Sequence, residues 1–220
     1  MSLSARNGSI RMANIDHYFD EIDAARIRRA RELSEIKRRF GADRNTDPTG
    51  VNSKAAVVLT YANWEGFYND CVSTYVQFLR ERGGKVRETD WMLLVGAFNS
   101  DFESLRARNH SFDAKHQFVA DLKARIECRF DSFDSSVIEA RSNLNYRRIS
   151  QNYFLLSVEK SSLDKRRLRL DKELVGWRHS VAHGDSPDLS ALDIASHVDF
   201  AAHLLIVVAD RFQYAMLDRM

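Results

Sequence analysis

The chain has 220 residues, of which 44% are hydrophobic and 29% charged, and its formal net charge is +2 at pH 7. This size predicts one domain with one core. The near balance of charges excludes a strongly basic, nucleic-acid-binding surface over the whole protein, though not a local basic patch. Only 9 Gly and 2 Pro are present, which is few for a sheet protein with many turns, so long helices are predicted.

The chain opens with residues 1–13, which we interpret as a disordered or tag-derived N-terminus. Residues 14–40 place apolar side chains every three or four positions, which predicts an amphipathic helix ended by Gly41. Its polar face mixes arginines with acidic residues at pairing distance, which favours a solvated, ion-paired surface over an RNA-binding stripe. After a turn-rich loop, residues 52–82 are apolar nearly all round and are predicted to form the central buried helix.

The middle of the chain is less regular. A third helix is predicted from Asp90 to about Arg108, with Thr89 as its N-cap and Trp91 on its inner face. Residues 109–141 contain one shorter helical pattern with indistinct ends, and we interpret them as an insertion within the domain.

Three further helices are predicted over residues 143–158, 163–182 and from about 188 or 190 to 212. The sequence shows no internal repeat and no convincing strand pattern. The predicted fold is therefore all-α, a single helical bundle of about five to seven helices over residues 14–220.

The two cysteines, Cys71 and Cys128, lie in helical patterns without Cys or His neighbours at metal-ligand spacing. We therefore expect no disulfide framework, no metal and no cofactor, and a reducing cytoplasm as the location. No stretch approaches 18 uninterrupted apolar residues, so we expect no membrane partner.

Common enzyme signatures are missing from the sequence, among them the Gly-rich phosphate loop, the G-x-S-x-G elbow and H-E-x-x-H. The run Gly-Trp-Arg178-His179-Ser-Val-Ala-His183-Gly-Asp185 instead places one arginine and two histidines within six positions. It resembles the R-x4-6-H motif of the HEPN superfamily, small all-α proteins many of which are ribonucleases. Arg11 and His17 also fall within the allowed spacings of this motif, but that pair opens the first helix, whereas the run ends a penultimate helix, as in HEPN domains.

Two other segments support this resemblance. The sequence Trp64-Glu65-Gly66 is similar to a helix of stand-alone bacterial HEPN proteins of the MAE-type branch, and Ser142-Asn-Leu-Asn-Tyr is a looser likeness. Two departures are that His179 occupies a position often taken by Asn, and that Asp185 replaces the tyrosine that is modified in some HEPN toxins. Regulation by modification of that tyrosine is therefore not implied.

The resemblance implies a metal-independent endoribonuclease that cleaves RNA by 2′-hydroxyl transesterification at a composite site in a homodimer. It further implies a bacterial toxin–antitoxin or defence setting, with an antitoxin or regulatory protein as a partner. In this hypothesis His183 transfers protons, Arg178 stabilises phosphate charge, and His179 orients or assists. Two alternatives are a catalytically silent HEPN-like module that binds RNA or protein, and a purely structural role in which Arg178 and His183 cap the helix end.

Other polar residues are assigned supporting roles. Glu65 is directed into an apolar stripe and needs a partner, either Arg178 or a basic residue of another helix, and Asp185 could pair with a motif residue. A basic cluster on the motif helix could guide the RNA backbone or could be a solvated face; its members are Lys165, Arg166, Arg167 and Arg169. The histidines at 110, 116, 197 and 203 are interpreted as surface or interface residues, and the aromatic residues Tyr61, Trp64, Tyr75 and Trp91 as packing residues.

Overall fold

The computed structural model describes residues 15–41, 47, 50–130, 133, 138, 143–185 and 187–220. Residues 1–13 and Ser142 lie outside this set. The predictions for the N-terminal segment, for Arg11 and for Ser142 therefore concern residues that the structure does not describe. The helices, in chain order, are α1 (Ile15–Phe40), α2 (Val51–Arg82), α3 (Leu94–Ala97), α4 (Asn99–Ala107), α5 (Phe112–Arg125), α6 (Tyr146–Leu155), α7 (Ser161–Asp164), α8 (Arg167–Arg169), α9 (Trp177–Ala182) and α10 (Ile194–Leu217). Within these ranges no strand forms beyond one isolated bridge between Lys85 and Arg129, which confirms the all-α prediction.

The three long helices α1, α2 and α10 pack against one another and enclose the main core. Helix α2 is central, as predicted: Trp64, Phe67 and Phe78 are fully buried. Burial of one such side chain stabilises the fold by about 1.5–3 kcal/mol. The helix ends where Gly83 adopts a positive φ of 71°, a conformation that glycine accepts without strain.

Helix α10 is, among the described residues, the one helix long and apolar enough by composition to cross a membrane. Half of that apolar window is buried inside the bundle, where Leu204, Val208 and Phe212 contribute to the core. This burial is typical of a core helix.

The prediction of one continuous third helix is wrong. A 3-10 turn at Trp91–Leu93, α3 and α4 replace it. Asp90 rather than Thr89 caps the turn and accepts a hydrogen bond from the Met92 amide, and the backbone leaves the helical conformation at Phe98, between α3 and α4. Trp91 is 69% exposed instead of facing inward. The region interpreted as an insertion contains the helix α5, and its buried Phe133 and Ile138 join the main core.

The last two predicted helices also differ from the structure. The motif helix is divided, with α7 and α8 followed by a π-helix at Leu170–Gly176 and then by α9. The final helix begins at Ile194 because Asp193 caps it, accepting from the Ser196 amide at 3.1 Å.

Candidate active site

The π-helix leads directly into α9, which carries the motif. Wide π turns are rare and often accompany functional sites. Asp171 within this turn accepts a 2.7 Å hydrogen bond from the backbone amide of Tyr146, which ties the motif segment to the start of α6. On the inner side of α9, Trp177 packs with Val57 and Leu189 in a small separate apolar cluster.

Backbone amides close the C-terminal end of α9. Gly184 has a φ of 79°, its amide donates to Val181 at 3.2 Å, and the Asp185 amide donates to Ser180 at 2.9 Å. This is the Schellman arrangement, which satisfies helix-end carbonyls with the chain itself. The carbonyls of Ser180 and Val181 therefore need no side-chain cap, which weakens the interpretation of the motif residues as caps.

Arg178 is half-buried and held on two sides. Its Cζ lies 4.6 Å from the centre of the Tyr61 ring, within the range of a cation–π interaction. Its Nη1 donates a 3.0 Å hydrogen bond to Oδ1 of Asn143. Asn143 has a φ of 55°, a left-handed conformation that Asn adopts more readily than most residues. These contacts fix the guanidinium, and among the described residues only one of its five N–H donors takes part in a hydrogen bond.

Tyr61 connects three parts of this arrangement. Its hydroxyl donates to Oε1 of Glu65 at 2.8 Å and accepts from the backbone amide of Leu144 at 2.7 Å. Burial raises the pKa of the Tyr61 phenol well above its usual range, so that the hydroxyl stays protonated and remains a donor. The ring supports Arg178, and the hydroxyl fixes the backbone next to Asn143.

Neither expected ion pair of Glu65 is formed in the described part of the chain. Glu65 is only half-buried on α2, and its partner is the Tyr61 hydroxyl one turn earlier on the same helix. A half-exposed carboxylate keeps part of its hydration and so does not require an opposite charge. The link from Glu65 to Arg178 therefore runs through Tyr61.

His179 and His183 lie side by side at the exposed end of α9. Their ring centres are 4.3 Å apart, with an angle of 51° between the ring planes, and both side chains are exposed. The structure therefore brings two imidazoles together at the end of the helix that also carries the anchored Arg178. Asp185 is exposed as well, but its carboxylate contacts neither Arg178 nor the two histidines within the described residues.

His197 lies behind the motif and is 1% exposed, so its interpretation as a surface or interface residue is wrong. Its ring lies 5.5 Å from Trp177, and neither ring nitrogen has a hydrogen-bond partner in the described residues. Burial, reinforced by the charge of Arg169, lowers the pKa of His197 to about 4. His197 is therefore neutral at physiological pH and acts as a packing residue.

The predicted basic cluster divides into two pairs. Arg169 donates to Glu173 and Ser196 and lies over the ring of Phe200, so it has a structural role. Arg166 donates to the Ser162 carbonyl and contacts His203. Lys165 and Arg167 are exposed, and Arg167 lies 5.2 Å from the centre of the Tyr146 ring. This second pair is open to an anionic ligand.

Sequence reasoning missed two contributors, Tyr61 and Asn143. Tyr61 was assigned to packing, and it is indeed 1% exposed, but its hydroxyl and ring face also position polar groups. Its spacing of four residues from Glu65 was the available signal, since residues i and i+4 share a helix face. No group of three or more His, Cys, Asp or Glu side chains able to hold a metal ion occurs in the ranges described.

Comparison with known proteins identifies a family for most of the chain. A family model described as RiboL-PSP-HEPN matches residues 24–214, which include α2, Asn143 and the whole motif. No curated protein and no solved structure matches the chain significantly. The match confirms the resemblance to the HEPN superfamily, and the branch that it names is RiboL-PSP.

Proposed function

The chain belongs to the RiboL-PSP-HEPN family, and from this premise we propose that it is an endoribonuclease that cleaves RNA without a metal ion. The observation that carries the proposal is the pair of exposed imidazoles of His179 and His183, whose ring centres are 4.3 Å apart, on the helix whose Arg178 is held in place by Tyr61 and Asn143. Imidazole exchanges protons near neutral pH, and guanidinium binds phosphate oxygens through parallel hydrogen bonds.

In the proposed reaction, His183 accepts the proton of the RNA 2′-hydroxyl as the 2′-oxygen attacks the neighbouring phosphorus. The bond from phosphorus to the 5′-oxygen breaks, and that oxygen takes up a proton from a general acid on the opposite side of the phosphorus, which the second copy of the chain supplies. The products are a 2′,3′-cyclic phosphate and a 5′-hydroxyl. Arg178 stabilises the extra negative charge on the phosphorane, and His179 orients or assists its neighbour.

We assign the active form to a homodimer. A single motif offers one arginine and one pair of adjacent histidines, whereas in-line displacement uses an acid and a base on opposite sides of the phosphorus. A second copy, facing the exposed end of α9, would supply the missing group. Lys165 and Arg167 would attract the RNA backbone toward this cleft. The setting proposed for the activity is a bacterial toxin–antitoxin or defence system in the cytoplasm, with an antitoxin or regulatory protein as a further partner.

The test is cleavage of a mixed RNA pool in EDTA by the wild-type protein and by His183→Ala. Loss of a general acid–base group is expected to slow cleavage by roughly 10²–10⁴-fold. The control is His116→Ala, because His116 is an exposed histidine on α5 and should be dispensable. Both variants should melt like the wild type, since both side chains are exposed.

Equal cleavage by His183→Ala and the wild type would contradict the proposal. Absence of cleavage by the wild type would also contradict it and would favour a silent module that binds RNA or protein. Sedimentation tests the dimer separately. A strict monomer at concentrations that give full cleavage would contradict the composite site.

A further inference from the structure

The spacing of His179 and His183 offers a second chemistry. Four residues separate them, and the His183 amide donates to the His179 carbonyl at 3.1 Å, so one helical turn joins the two positions. Side chains at i and i+4 project from the same face of a helix. Two histidines at this spacing are the arrangement by which a helix holds a zinc ion in metalloproteases.

The two imidazoles are also free to bind a ligand. Neither ring makes a hydrogen bond or ion pair to another described residue, and both are exposed. Arg178, the nearest cation in sequence, is drawn to Tyr61 and Asn143. The guanidinium therefore has its own partners on α2 and at Asn143, and among the described residues it contacts neither imidazole.

No other pair of described histidines is equivalent. His17 pairs with Glu21, His203 contacts Arg166, and His197 is buried. His110 and His116 are six residues apart, and His110 lies before the start of α5, so they do not share one turn of a helix.

We infer that His179 and His183 together bind one divalent transition-metal ion, with Zn²⁺ as the reference ion, through one ring nitrogen each. A zinc–nitrogen bond is about 2.0–2.1 Å long, so the two nitrogens must come to roughly 3 Å from each other. Small rotations of two exposed side chains allow this. With no third protein ligand among the described residues, water completes the coordination, and the site is open and reversible.

Metal binding has a consequence for catalysis, and this consequence rests on the proposed function. A nitrogen that coordinates a metal ion cannot accept a proton, so the bound ion blocks the group that starts cleavage. The ion is therefore an inhibitor that EDTA removes.

The test is calorimetric titration of Zn²⁺ into the untagged, EDTA-treated and dialysed chain. The wild type should bind one ion per chain, and His179→Gln and His183→Gln should each weaken binding at least tenfold. Cys128→Ser and His116→Gln are matched controls, because Cys128 is an exposed thiol and His116 an exposed single histidine. Both controls should bind as the wild type does.

Undiminished binding by His179→Gln or His183→Gln, or absence of binding by the wild type, would overturn the metal site. In a parallel assay, saturating Zn²⁺ should abolish wild-type RNA cleavage and EDTA should restore it. Cleavage that is unaffected by saturating Zn²⁺ would overturn the inhibitory role. A wild type that binds Zn²⁺ but cleaves no RNA in EDTA would contradict the proposed function while supporting the metal site.

Discussion

Replacement of Tyr61 by Phe tests the contribution of the Tyr61 hydroxyl, which links α2 to the backbone beside Asn143, the residue that binds Arg178. The substitution keeps the aromatic ring under Arg178 but removes the acceptor of the Leu144 amide and the donor to Glu65. Leu144 is fully buried, so its amide loses its partner without gaining water. An unsatisfied buried amide costs about 1–3 kcal/mol. For a domain of this size, that corresponds to a fall in Tm of roughly 2–12 °C.

The matched control is Tyr153→Phe. Tyr153 is also fully buried, but its hydroxyl has no hydrogen-bond partner in the described residues. Its removal should be neutral or stabilising, because no partner is orphaned and a buried hydroxyl is lost. Thermal and urea denaturation of both variants would measure the difference. Equal stability of Tyr61→Phe and Tyr153→Phe would refute the connecting role of the Tyr61 hydroxyl.

Two further predictions concern stability. Because the pKa of His197 is about 4 in the folded protein and about 6.5 when unfolded, its contribution is complete above pH 6.5 and is lost as the pH falls toward 4. That contribution is about 3 kcal/mol, from 1.36 kcal/mol for each pKa unit. His197→Phe should therefore flatten the pH dependence of unfolding between pH 4 and 6.5, and an unchanged slope would contradict this assignment. Gly96→Ala should cost about 1–3 kcal/mol, because its new methyl group meets the buried ring of Phe133. Gly66→Ala should cost less in the same melts, because its methyl group meets only the flexible end of an arginine side chain, and equal costs would contradict this comparison.

The long helices could be predicted because each has a strong local signal. Helix α2 is apolar nearly all round and ends at Gly83, and α1 has a regular stripe and ends at Phe40. The middle of the chain could not be predicted, because its backbone leaves the helical conformation at Phe98 and Trp91 lies exposed although the pattern places it inward. Packing between segments distant in sequence decides such features, and local periodicity does not encode it.

The candidate site likewise contains residues that local sequence patterns reveal and residues that only the fold reveals. The motif residues Arg178 and His183 could be found by their spacing, and the proximity of the His179 and His183 rings follows from their separation of one helical turn. The anchors of Arg178 could not be found in this way. Tyr61 and Asn143 are 82 residues apart in sequence, and only the fold brings both to one guanidinium.

The central claim is that the substrate's own 2′-hydroxyl is the nucleophile and that His183 moves its proton. The most direct test is the chemistry of the RNA ends produced in EDTA. We expect 2′,3′-cyclic phosphate and 5′-hydroxyl ends from the wild type, and their loss with His183→Ala. Ends carrying 3′-hydroxyl and 5′-phosphate groups would show attack by water and would contradict it, as would cyclic ends formed equally by the variant.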